Sequence, residues 1–181
     1  PRSRGLGDVY KRQEQVKLAA FISFGVAAVA GLILAAVSAP WLILVGAVCI
    51  LAAWFYTGGK NPYGYRGFGE ISVFVFFGLV AVLGTQYTQS GTITWVGIGG
   101  AIGVGAISAA INLANNIRDI PTDTAAGKRT LAVILGDASA RRLFTALTLT
   151  PFVITVFIGA AYAPTLLALA ALPLAIGSVL R

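Results

Sequence analysis

The chain is 181 residues long, 57% hydrophobic and only 10% charged, with 13 Lys and Arg against 6 Asp and Glu for a formal net charge of +7, and its mean hydropathy is +0.87. An ordinary soluble domain carries roughly 25% charged residues, so this composition excludes one and points to a chain solvated by lipid. The absence of histidine leaves no basis for a zinc site, and the single Cys49, in the middle of an apolar run, reads as packing.

Residues 1–13 share nothing with the rest of the chain. Their GLGDVYKRQ resembles translated adapter sequence, and they are read as a non-native or disordered leader. Apolar stretches then run at about 14–37, 40–56, 71–88, 92–113, 142–162 and 164–180. Each is close to the roughly 20 residues that carry a helix across a hydrocarbon core, so the sequence predicts an all-α, multi-span transmembrane bundle of six helices. Pro151, Pro164 and Pro173 interrupt the last two stretches.

The charges sort themselves by alternate connections. Arg2, Arg4, Lys11, Arg12 and Lys17 precede the first span, Lys60 and Arg66 follow the second, Arg118 to Arg142 follow the fourth, and Arg181 follows the sixth. The connections near Ala39-Pro40, Gln89-Ser90-Gly91 and Ala163-Pro164 carry no charge, while Asp8, Glu14, Glu70, Asp119, Asp123 and Asp137 all lie with the bases. Lysine and arginine mark cytoplasmic loops, which predicts an integral membrane protein with these loops in the cytoplasm. Trp41, Trp54 and Trp95 fall at predicted span ends, where indoles favour the interface.

The run GIGGAIGVG, residues 97–105, imitates a dinucleotide fingerprint, yet it lies inside an apolar span with no strand before it. Small residues that let helices approach closely are the better account, and the Gly99/Gly103 spacing fits that role.

NNIRDIPTDTAAGKRT, residues 115–130, concentrates charge where the rest of the chain has almost none. Asp119 and Asp123 are one helical turn apart and project from one face if the segment is helical. Pro121 between them is tolerated only near a helix start, so the fourth span is expected to break there and a short new helix to begin. Two carboxylates facing one way are oxygen ligands for a hard cation, and Mg²⁺ takes one or two carboxylates together with substrate phosphates and waters. Asn115 and Asn116 add neutral oxygens or hydrogen bonds. Arg118, Lys128 and Arg129 supply the donors that a diphosphate needs, and Gly127 lets the chain turn back toward the ligand. A solvated loop whose acids and bases pair with each other is the alternative; ionisable groups beside membrane spans are costly unless they face a cavity, which favours a site.

The pattern N-N-x-R-D-x-x-x-D-x-x-x-G-K-R-T-L-A-V over residues 115–133 resembles the second aspartate-rich motif of the UbiA superfamily of intramembrane prenyltransferases. YTGGKNPYGYRGFGE, residues 56–70, with the adjoining ISVFVFFG, is similar to a connection and an aromatic run in the same superfamily, and the resemblance covers residues 14–181. It implies a polyprenyl diphosphate donor, Mg²⁺, a lipid bilayer and no nucleic acid as partners. Within the superfamily the form is most similar to the branch whose acceptor is 1,4-dihydroxy-2-naphthoate, prenylated with loss of CO₂. An earlier N-D-x-x-D-type motif of the family has no counterpart before Lys17. The resemblance therefore implies part of a nine-helix bundle, truncated at both ends and inactive alone.

By the same resemblance, Asp119, Asp123 and Asn115 hold the metal, and Asn116, Arg118, Lys128 and Arg129 bind the diphosphate. Tyr56, Tyr63, Tyr65 and Phe68 offer aromatic faces to an allylic cation. Lys60, four after Tyr56, matches a Tyr-x-x-x-Lys pattern of the superfamily and reaches a phosphate or the aromatic acid, and Arg66 is a candidate for the same task; contact with lipid headgroups is the equal alternative for both. Two other readings stay open: a superfamily enzyme with a different acceptor, and a membrane transporter, for which the carboxylates belong at mid-membrane.

Overall fold

The computed structural model describes the backbone of residues 3–179 and the side chains of residues 12–179. The charges of Arg2, Arg4, Asp8, Lys11 and Arg181, which entered the topology, lie outside these side chains. Every regular element among the described residues is helical. The chain divides into two compact units, residues 1–48 and 49–181.

In the first unit, α1 (Ser3–Ser38) is helical from Ser3 onward, through the stretch set apart as a leader on sequence. Its Arg12–Ser38 portion is 27 residues of high hydropathy, roughly 40 Å of helix at 1.5 Å per residue, which is long enough to cross a bilayer. Phe21, Phe24 and Val37 are among its many exposed apolar side chains, a surface suited to hydrocarbon. The helix ends just ahead of Pro40, whose ring disfavours helix in the residue before it. The chain then turns through Ala39–Trp41 into α2 (Leu42–Thr57), with Leu42 N–H donating to the Ala39 carbonyl at 3.0 Å.

The second unit begins within α2 and carries the charged loops. A short 3₁₀ turn (Tyr63–Arg66) leads to α3 (Gly69–Ser90), followed by α4 (Trp95–Arg118), α5 (Ile120–Ala125), α6 (Leu131–Leu135), α7 (Asp137–Gly159) and α8 (Ala163–Val179), the last being 3₁₀ over Ala163–Ala171 and α-helical over Leu172–Val179. Among the described residues four helices, α1, α3, α4 and α7, are long and apolar enough to cross a membrane, and α2 and α8 are shorter apolar helices. Together they stand at the six positions expected from the sequence. Two boundaries differ. α7 starts at Asp137 rather than near 142, because Asp137 and Arg141 pair one turn apart (2.8 Å) and satisfy the polar first turn. α3 starts at Gly69, which draws Glu70 out of the loop and into the helix.

The glycine run works on two faces rather than one. Gly99 and Gly103 face α7: a Cβ at Gly99 would meet Ile158 at 3.1 Å and Ile154 at 3.2 Å, and one at Gly103 would meet Pro151 at 3.7 Å. A backbone-to-backbone approach lies two residues further on, which is nearly the opposite side of the helix. There a Cβ on Gly78 of α3 would sit 2.5 Å from the Gly105 Cα and 2.6 Å from the Ala101 carbonyl oxygen, so the two backbones touch. That contact falls inside Phe74–Leu83, where α3 widens into a π-helix, a form usually confined to single turns.

Candidate active site

The helix break expected at Pro121 is present. α4 stops at Arg118, Asp119 takes φ −92° and ψ 4°, and α5 starts with Pro121 in its first turn, where the missing N–H costs nothing. One helical hydrogen bond still bridges the joint, from Asp123 N–H to the Asp119 carbonyl at 2.8 Å. The two acids are therefore one turn apart, as the spacing predicts. Beneath them, buried Leu113, Ala132 and Ala140 pack with Ile117, Ile120 and Phe144, which fixes the ends of α4, α5, α6 and α7 against one another.

The far end of α5 brings a base back onto the second acid. Gly127 has φ +71°, its N–H donates to the Thr124 carbonyl, and the Lys128 N–H donates to the Asp123 carbonyl at 2.9 Å. This paired pattern is a Schellman C-cap, and it needs a left-handed residue at Gly127. Its consequence is chemical: Lys128 Nζ lies 3.1 Å from Asp123 Oδ1. Asp123 is buried, and hydrogen bonding to it holds the Lys128 ammonium above its ordinary pKa. Asp119 is the more open acid. Arg118 grips it through two parallel hydrogen bonds of 2.8 and 3.0 Å, and this contact holds the Asp119 carboxyl below the usual carboxylate range.

The two sequence blocks meet at this point. Arg129 N–H donates to the Tyr65 carbonyl at 2.9 Å, and Lys128 Nζ stands 4.8 Å from the centre of the Tyr65 ring. Gly67, at φ +84°, keeps the loop close to α6, since a Cβ there would lie 2.8 Å from Ile134 Cδ1. Tyr56 and Tyr63 meet edge to face with ring centres 5.5 Å apart, and the Tyr63 hydroxyl donates to the Ala52 carbonyl at 2.8 Å. Asn115, Arg129, Phe68 and Lys60 are exposed. Arg66 turns to Asn61 in its own loop, at 3.1 Å.

Glu70 and Asn112 are the residues that sequence reasoning missed. Glu70 is 4% exposed, and its Oε1 accepts hydrogen bonds from Asn116 Nδ2 at 2.6 Å and Asn112 Nδ2 at 3.3 Å. On sequence Glu70 counted only as one more acid on the charged side. The available signal was an acid set directly against the run ISVFVFFG, together with two amides one turn apart at the end of an apolar span.

Asp119, Asp123 and the neighbouring amides fit a magnesium ion by donor type, all being hard oxygens. Among the described residues there is no group of three or more His, Cys, Asp or Glu that would hold a metal. Between α4 and α7 runs an apolar groove of about 350 Å³, lined by Gly99, Gly103, Ile107, Pro151 and Ile154.

Helices of membrane length, together with a broken helix that carries two aspartates one turn apart and bases paired with them, define a multi-span helical membrane protein with a charged cluster at a helix break. Residues 13–181 match the UbiA prenyltransferase family, and the chain belongs to that family. It is 52% identical over 173 residues to a 1,4-dihydroxy-2-naphthoate octaprenyltransferase of Mycobacterium tuberculosis, covering 96% of this chain and 59% of the relative. A protein of the same name from Mycobacterium leprae is 55% identical over 161 residues (89% and 55% covered), and one from Escherichia coli is 39% identical over 145 residues (77% and 47%). The chain thus spans a little over half the length of the mycobacterial relatives. No solved structure matches the chain significantly.

Proposed function

We propose that the full-length protein carrying this sequence transfers a polyprenyl group from an allylic polyprenyl diphosphate to 1,4-dihydroxy-2-naphthoate, with loss of CO₂, giving demethylmenaquinone. The observation that carries this reading is the closure of the loop holding Tyr65 over the Asp123–Lys128 pair, which puts carboxylate, ammonium and aromatic face in one place. The names of the mycobacterial relatives supply the acceptor.

Asp119, Asp123 and Asn115 would hold Mg²⁺, which supplies neutralisation of the charge that develops on the departing diphosphate. Lys128, Arg129 and Arg118 direct their donors at the same oxygens, and Asn116 orients them, in a setting where fixed charges act more strongly than in water. For Arg118 and Lys128 this means exchanging the carboxylate each holds now for a phosphate oxygen, which their long side chains permit. As the allylic carbon–oxygen bond opens, Tyr56, Tyr63, Tyr65 and Phe68 present ring faces to the cation and exclude water from it. Lys60 and Arg66, at the rim, suit the carboxylate of the incoming acceptor. The groove between α4 and α7 is an apolar channel of the kind an isoprenoid tail needs, and the charged loops face the cytoplasm of a bacterial cell by the distribution of lysine and arginine.

The test is an assay of the full-length protein with radiolabelled prenyl diphosphate, Mg²⁺ and a panel of acceptors, with and without chelator. Magnesium-dependent demethylmenaquinone formation is expected. Preference for 4-hydroxybenzoate, a porphyrin derivative or a sugar phosphate would overturn the acceptor and keep the chemistry, and no diphosphate release with any acceptor would overturn both in favour of transport.

A further inference from the structure

Glu70 has two carboxylate oxygens in two different situations. Oε1 ties the start of α3 to α4 through Asn112 and Asn116, one turn apart. Oε2 is buried and has no hydrogen-bond partner among the described residues. Anchoring alone needs one acceptor oxygen, which a neutral amide side chain supplies without the cost of taking a carboxylate out of water. A buried acceptor left without a donor is rare in native proteins and calls for an explanation, such as a group that arrives from outside.

Its position says where that group would come from. Asn116, at 2.6 Å from Oε1, stands three residues before Asp119 on the same helix end. Gly69, next to Glu70, is closely packed: a Cβ there would lie 3.2 Å from Asn112 Nδ2 and 3.3 Å from the Tyr56 hydroxyl, so both polar groups stand against this turn of backbone. The acid therefore sits between the diphosphate-binding turn and the Tyr56–Tyr63 pair. Of the reactants in the prenyl transfer, the diphosphate and the acceptor's carboxylate are anionic and carry no donor, so Glu70 repels them, and the prenyl tail has no polar atom. The ring hydroxyls are what remain.

We propose that Glu70 Oε2 receives a ring hydroxyl of the aromatic acceptor and takes its proton as the new carbon–carbon bond forms, an assignment that rests on the prenyl-transfer reading. When a ring carbon attacks the allylic cation, positive charge spreads to the ring and makes the hydroxyl acidic. The O–H bond breaks, its electron pair becomes the π bond of a ring carbonyl, and the proton passes to Oε2. The ring is left neutral and Glu70 protonated.

Glu70→Gln separates this role from anchoring, since the amide oxygen can keep both asparagines while Oε2 becomes an N–H donor. In the full-length protein, Glu70→Gln is expected to melt with the wild type and keep its KM for prenyl diphosphate. Its KM for dihydroxynaphthoate should rise about tenfold or more and kcat fall by about 10²-fold, the loss usual for a missing general base. Methylating the hydroxyl gives a second readout that needs no variant: the wild type should use at least one monomethyl ether of the acceptor far more poorly than the parent compound. Wild-type kinetics in Glu70→Gln, an equal loss toward both substrates, or free use of both monomethyl ethers would overturn the assignment. A wild-type protein inactive toward every aromatic acceptor would instead remove the prenyl-transfer reading, and this inference with it.

Discussion

Lys128 reaches back across one turn to Asp123, Nζ to Oδ1 at 3.1 Å, while lying over the ring of Tyr65 from the other loop. The acid is buried and its base is half-exposed, so the pair stands at the edge of the protein interior with the ammonium on its outer side. Replacing Asp123 with Asn, or Asp119 with Ala, keeps the size or reduces it but removes a charge that the proposed diphosphate chemistry uses. Prenylated product from either full-length variant should fall by about 10²–10³-fold, the range seen when one preorganised electrostatic group is lost. Rates near wild type in a quantitative product assay would sink the proposed role of the aspartates.

Gly127 is the hinge of that arrangement. Its φ of +71° costs an L side chain, so Gly127→Ala should destabilise by about 1 kcal/mol and loosen the cap that returns Lys128 to Asp123. Thermal melting in detergent checks the first effect. The second should appear as a higher KM for prenyl diphosphate, with the acceptor KM unchanged.

Gly78 tests the packing of the spans apart from the chemistry. A methyl group there meets the Gly105 backbone at 2.5 Å, and neither backbone has a flexible end to move aside. Gly78→Ala should cost about 1–3 kcal/mol, as overpacking does. Gly100→Ala, where a Cβ meets nothing within 4 Å, is the control and should leave the melting temperature unchanged. Equal melting of the two variants would contradict the close α3–α4 contact.

Arg118 sets the acid limit of Asp119. The carboxyl is held below its ordinary pKa by the hydrogen bonds from Arg118, so the stabilisation from the pair is present above the ordinary carboxylate range and is lost as pH falls through the depressed value. Arg118→Gln removes the cause and should move the Asp119 titration, followed by carboxyl infrared absorption, upward toward that ordinary range. An unmoved titration would show that the pair does not form in solution.

Much of this was legible in the residues. Six apolar stretches gave six helices because length and hydropathy depend on the local sequence alone, and the break after Arg118 came from Pro121, whose ring acts within its own turn. The aspartate spacing and the turn at Gly127 are local for the same reason. The glycine run was legible as a packing surface but not as two surfaces, since which neighbour each face meets depends on helices far away in the chain.

The sequence by itself determined that the chain is helical and membrane-suited, and where its carboxylates and bases are concentrated, because hydropathy, proline geometry and one-turn spacing operate within a few residues. Tertiary structure alone decided which base meets which acid, that Tyr65 and Lys128 share one place, and that Glu70 is buried against Asn112 and Asn116, 42 and 46 residues away. Burial and hydrogen-bond partnership are set by the packing of distant segments, and no local pattern carries that information.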